Sequence, residues 1–128
     1  MSDDDIVSVR YMVDDVGESI AFYTDLLDFE VLNDFAPAFA DVKHGNLRLL
    51  LSGPKSSAGR SMDDGAIPGP GGWNRIHLIV DDIDREVARL DDAGASFRNR
   101  IVEGPGGKQV LLQDPSGNIV ELFQPAHT

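Results

Sequence analysis

Four side chains of this 128-residue chain are of types that could do chemistry together: Arg10, Arg75, His77 and Glu121. Glu121 sits inside NIVELF with apolar residues on both sides. A buried carboxylate is costly unless a cation or hydrogen-bond donors stand opposite it. What faces Glu121 is therefore the functional question: a metal ion, a basic side chain, a ligand or water. His77 suits a general base or a ligand contact near neutral pH, and equally a satisfied packing histidine. Arg10 and Arg75 carry the planar fork that suits a carboxylate, phosphate or enolate on an apolar body. For Arg10 an exposed charge at a strand edge is the plainer alternative.

These residues reach one another only if strands present them on one face, and alternation says which face that is. In the first strand Val9, Tyr11 and Val13 should pack on a helix, leaving Ser8, Arg10 and Met12 opposite. Around His77, residues Ile76, Leu78 and Val80 form the helix side, and Arg75, His77 and Ile79 face away. In the last strand Val120 and Leu122 suit the helix side, so Ile119, Glu121 and Phe123 join the opposite face. The expected ligand wall is Met12, Leu49, Ile79, Ile119 and Phe123. Leu111 and Trp73 are further candidates, the strand phase near 108–113 being ambiguous and Trp73 equally suited to a core.

The elements repeat. VRYMVDDVGESIAFYTDLLDF and RIHLIVDDIDREVARLDDAGASF share a short alternating strand, a V-D-D-V or V-D-D-I segment and a helical pattern. Val16, Ile20, Tyr23 and Leu27, then Ile83, Val87, Leu90 and Gly94, each fall at steps of 4, 3 and 4, one stripe per helix. Asp15 and Asp82 stand where an N-cap belongs. HGNLRLLLSGP and SGNIVELFQP end the two halves alike. Later strands are expected near 29–35, 38–43 and 47–52, and near 96–101, 108–113 and 118–124. The chain thus reads as an internal duplication with a period of roughly 70 residues.

These motifs, together with LLQDPSGNIVELFQP, resemble the vicinal oxygen chelate superfamily of glyoxalases, bleomycin-resistance proteins and extradiol dioxygenases. The resemblance implies an α+β fold of two βαβββ modules in tandem, forming a half-open barrel with a cup, often as a homodimer. It places a single domain over 1–128, with modules at 5–53 and 73–125. The linking loop at 54–72 is rich in Gly, Pro and Ser and is a lid or a plain linker. Metal-dependent members take ligands from the first and last strand of each module. Those places carry over to Ser8 and Leu49, then Arg75 and Glu121. Only Glu121 is a credible ligand, because a guanidinium offers no lone pair and leucine has no donor atom. About three protein ligands are needed for a catalytic site.

The vacancy suggests that Arg75 takes the metal's seat and pairs with Glu121 in bidentate fashion. The expected function is metal-independent binding of a small molecule, similar to the drug-sequestering branch. Arg10, Met12, Leu49, Arg75, His77, Ile79, Ile119, Glu121 and Phe123 would contact the ligand. No cofactor is expected. The alternative is a lyase, isomerase or dioxygenase with an atypical metal site at Glu121 and His77, His44 adding a second imidazole, or acid–base work by His77 and Glu121. His44, beside a Gly-Asn turn, and His127, in the tail, otherwise read as exposed. VEGPGGKQV lacks the phosphate-loop pattern and reads as a hairpin turn. Ser8, Ser96 and Ser116 have no triad context.

Composition narrows the partners. Eleven Lys and Arg stand against 22 Asp and Glu, a formal charge of −11. That balance argues against nucleic acid and anionic membranes. No cysteine is present, which removes disulfides, thiolate metal sites and cysteine nucleophiles. MSDDDIVS lacks a basic start and an apolar run, so a cytoplasmic setting is expected.

Overall fold

Asp15 and Asp82 start the two helices as their context requires. Asp15 Oδ1 accepts from the amide of Glu18 at 3.0 Å, and Asp82 Oδ1 from the amide of Arg85 at 3.1 Å. Each caps an amide that would otherwise lack a partner. These details come from a computed structural model, which describes residues 5–126. His127 lies outside the described residues. The chain divides into two compact units, Met1–Gly71 and Gly72–Thr128.

The first unit runs β1 (Val7–Met12), α1 (Val16–Ala21), β2 (Glu30–Phe35), β3 (Phe39–His44) and β4 (Leu47–Ser52). Its sheet has the order β1-β4-β3-β2, with β1 parallel to β4 and the other pairs antiparallel. The predicted helical stripe is modified. After Ala21 the helix widens to a π-helical turn over Phe22–Leu26. There the Thr24 hydroxyl donates to the carbonyl of Ile20 at 2.8 Å, a contact that competes with the backbone ladder. The wider turn places both Phe22 and Tyr23 inside, and a run of rings follows: Phe22 to Tyr23 at 4.9 Å, Tyr23 to Phe29 at 5.4 Å, Phe29 to His44 at 5.1 Å. His44 therefore belongs to the helix-covered face of this sheet, with Ala40, Val42, Leu49, Leu51 and Tyr11.

The second unit runs β5 (Ile76–Ile79), α2 (Ile83–Asp92), β6 (Ser96–Phe97), β7 (Val102–Gly104), β8 (Gly107–Gln113) and β9 (Ile119–Pro125). The sheet order is β5-β9-β8-β6, and β7 pairs with β8. Ile76, Leu78, Val110, Leu112, Val120 and Leu122 are buried on one face, with Ile83 and Leu90 of α2. Gly94 departs from the predicted stripe: α2 has ended at Asp92, and Gly94 adopts φ 84 beyond it, a helix stop rather than a core position. The strand expected over 96–101 stops after β6, and pairing with β8 resumes in β7, beyond the expected end. Arg98 N donates to the carbonyl of Leu111 and Asn99 Oδ1 accepts from its amide, at 2.8 and 2.9 Å, so a side chain replaces one rung of the ladder. VEGPGGKQV is a hairpin, with Gly104 opposite Gly107. Gly107 has φ 146 and faces the carbonyl of Gln124 so closely that no side chain fits.

No helix among the described residues is long and apolar enough to cross a membrane.

Candidate functional site

The turn that leads into β9 is built first. Asp114 Oδ1 accepts from the amides of Ser116 and Asn118, both at 2.9 Å, and its Oδ2 accepts from Asn118 Nδ2 at 3.1 Å. Gly117 closes the turn at φ 89, its amide donating to Asp114 O at 3.0 Å. Asp114 and Asn118 are both buried, so the entry to β9 is held by a satisfied polar cluster. From this anchor the alternation of β9 sends Val120 and Leu122 to α2, and Ile119, Glu121 and Phe123 to the other face.

Parallel pairing then brings β5 alongside: His77 lies opposite Glu121, and Ile79 opposite Phe123. On the other flank Leu111 of β8 lies opposite Glu121, which settles the ambiguous phase near 108–113 and puts Leu111 on this face. Glu121 is buried at 6% exposure between Ile119 and Leu111, which are buried too. Its partners are basic. Arg75 Nε donates to Glu121 Oε1 at 2.9 Å, and His77 Nε2 stands 3.4 Å from Oε2. The ion pair expected from the sequence is thus present, with one contact in place of the bidentate fork. The remaining reach of the guanidinium is taken up elsewhere: Arg75 Nη1 donates to the carbonyl of Trp73 at 3.2 Å. Phe123 lies against His77, ring centroids 4.9 Å apart. Trp73 is no core residue. It is exposed, with the Arg98 guanidinium 4.8 Å above its ring.

Arg75, His77, Ile79, Ile119, Glu121 and Phe123 therefore share one face of the second unit's sheet. Arg10 and Met12 lie in the first unit, on the face turned away from α1. Arg10 Nη1 donates to Ser52 Oγ at 2.8 Å. Ser8 accepts from Arg48 Nε at 3.1 Å.

Leu49 is a correction. It pairs with Val9 and Val42, is fully buried, and belongs to the helix-covered face. The residue opposite Arg10, as Glu121 is opposite His77, is Leu50. The two Gly-Asn turns look equivalent, but they are one residue out of phase with the ladders that follow. A one-residue slip exchanges the faces of a whole strand.

Sequence reasoning also missed Asp41. It is 3% exposed on the Arg10 face, accepts from Asn33 Nδ2 at 2.9 Å and has Arg48 Nη1 at 3.7 Å. Its position between Ala40 and Val42 in FADVKH was the available signal, since a strand buried on one face places its polar residue on the other.

Among the described residues no three His, Asp or Glu side chains gather as a metal-holding group. In the second unit Glu121 and His77 are the donors at hand, and a guanidinium already holds one carboxylate oxygen. In the first unit the corresponding places are a serine bonded to Arg48 and an aliphatic residue. This donor set does not fit a divalent metal bound at the positions carried over from the resemblance.

A family model described as Glyoxalase/Bleomycin resistance protein/Dioxygenase superfamily matches residues 5–122. Among solved structures, a superfamily member from Sphaerobacter thermophilus DSM 20745 is similar at 28% identity and TM-score 0.74, covering 93% of this chain and 95% of that one. A lactoylglutathione lyase from Agrobacterium tumefaciens is similar at 26% identity and TM-score 0.71, covering 93% and 92%. TnmS3, an antibiotic binding protein from Streptomyces sp. CB03234, is similar at 25% identity and TM-score 0.72, covering 94% and 95%. A search of curated proteins gives no significant match.

Proposed function

The chain belongs to the Glyoxalase/Bleomycin resistance protein/Dioxygenase superfamily, and on that premise we propose that it binds a small organic molecule without a catalytic metal. The observation that carries this reading is the contact of Arg75 Nε with Glu121 Oε1 at 2.9 Å. Glu121 is the one carboxylate among the carried-over ligand places, and a fixed cation neutralises it where a metal would. The solved relatives include both a lyase and an antibiotic binding protein, so membership alone leaves chemistry and sequestration open. The donor set favours sequestration. Within the second unit, Ile79 and Phe123 would supply apolar contact area, and His77 and Arg75 polar selection, for a ligand with an anionic group on an apolar body.

Metal analysis of protein purified without chelators tests the reading, together with native mass spectrometry after exposure to a cell extract. An organic mass bound to metal-free protein is the expected result. Stoichiometric Zn, Fe, Mn or Ni that disappears in Glu121→Ala overturns it.

One observation favours a second reading. The 3.4 Å approach of His77 Nε2 to Glu121 Oε2 is an imidazole–carboxylate arrangement that suits acid–base catalysis. Turnover abolished by His77→Ala in folded protein would establish that reading in place of the first.

A further inference from the structure

The first unit holds a cationic concavity that lies outside the Glu121 cluster. It has a volume of about 390 Å³ and is lined by Arg10, Ala38, Phe39, Lys55, Ser56 and Ser57. Two other concavities of the first unit each include a carboxylate, Asp28 and Glu30 in one and Asp63 in the other. This one includes none, in a protein whose formal charge is −11. Among the described residues neither Arg10 nor Lys55 makes an ion pair. The nearest buried carboxylate on this sheet face, Asp41, is already engaged by Asn33 and Arg48.

The walls are built rather than incidental. Ser52 is fully buried and accepts from Arg10 Nη1 at 2.8 Å, fixing the guanidinium. Phe39 is the cross-strand partner of Ser52, so an aromatic ring stands beside the fixed cation. The chain then turns tightly. Gly53 has no room for a side chain, since a Cβ would meet the carbonyl of Pro37 at 2.8 Å and Val16 Cγ2 at 3.0 Å. The turn closes on the Gly53 carbonyl, which accepts from the Ser56 amide at 3.1 Å and from the Ser56 hydroxyl at 2.7 Å. Lys55 sits at the crest of that turn. The Gly-Pro-Lys-Ser segment that reads as the start of a linker is thus a clamp that carries a second cation to the edge of the sheet.

We propose that Arg10, Lys55 and Phe39 form the binding site for the carboxylate of an aromatic or similarly flat apolar molecule. The carboxylate would sit between the two cations, with the ring against Phe39 and the Ser57 hydroxyl available as a further donor. A guanidinium whose orientation is already set loses little freedom on binding, and a planar carboxylate matches its fork. This rests on the preceding reading and deepens it by naming the class of ligand, an aromatic carboxylate, and the first-unit residues Arg10, Lys55, Phe39 and Ser57 that would recognise it.

Titration of the isotopically labelled full chain with benzoate, followed by NMR, tests the site, with benzamide as the neutral control. Saturable shifts at Arg10, Phe39 and Lys55 are expected with benzoate and not with benzamide. Losing one charge-assisted contact is expected to weaken benzoate about tenfold in Arg10→Met. Lys55→Met, at an exposed turn position, gives an independent loss in a protein that keeps its fold. Absence of saturable shifts, equal response to benzamide, or undiminished binding in both variants overturns the proposal. Those outcomes leave the metal measurement untouched, so a wrong site and a wrong functional class are told apart.

Discussion

Arg75 reaches across from the residue before β5 to place its Nε 2.9 Å from Oε1 of Glu121 in β9, 46 positions along the chain. The two partners are unequally buried, with side-chain exposures of 28% for Arg75 and 8% for Glu121. The asymmetry decides what each substitution should do. Arg75→Ala leaves a buried carboxylate with only His77 close by and should cost about 1–3 kcal/mol, the penalty for an acceptor left unsatisfied. Glu121→Ala leaves a cation that can turn to water and should cost less. Urea denaturation of both variants measures the order, and the reverse order would show that Glu121 is better hydrated than its burial implies.

Removal of metal should leave stability unchanged. Where a bound ion supports a fold, its removal lowers the melting temperature through mass action. Here a guanidinium supplies the charge opposite Glu121, so melting curves with and without EDTA should superimpose. A fall in melting temperature restored by one divalent metal would count against the proposed function.

Register gives a third expectation. Leu49 is fully buried on the helix-covered face, whereas Leu50 is half-buried on the face of Arg10. Leu49→Ala should therefore cost about 2–5 kcal/mol through loss of burial and the cavity left behind. Leu50→Ala should cost clearly less. Equal costs would contradict the pairing of Val9 with Leu49.

The Asp114 turn offers a fourth. Asp114→Ala deprives the amides of Ser116 and Asn118 of their common acceptor and should destabilise by about 1–3 kcal/mol. Asp114→Asn keeps an acceptor oxygen and should cost less. The second effect is local: β9 loses its anchor, so amide hydrogen exchange at Val120 and Glu121 should quicken before exchange in β4 does. Uniform quickening in both sheets would mean that the turn does not act on β9 in particular.

Much of this was legible in the chain itself. The paired V-D-D starts, the D-P-S-G-N turn and the period-two alternation are local signals, and each depends on the chemistry of a few neighbouring residues. They sufficed for the duplicated plan, the two helix caps, and the placing of Arg75, His77 and Glu121 on one face. The α+β fold class followed from the family resemblance that these motifs carry. What they could not supply was anything that depends on which residue a strand meets across a ladder. Leu49 and Leu50 exchange faces with a single step of register, and nothing local records that step. The break at Arg98 and Asn99 arises from their hold on Leu111, a residue on another strand. Lys55 comes beside Arg10 only because Ser56 folds the chain back onto Gly53. Periodicity and capping are properties of adjacent residues and can be read in order. Register, side-chain rungs and turn-borne cations are settled by contacts between distant residues, so only the folded arrangement decided them.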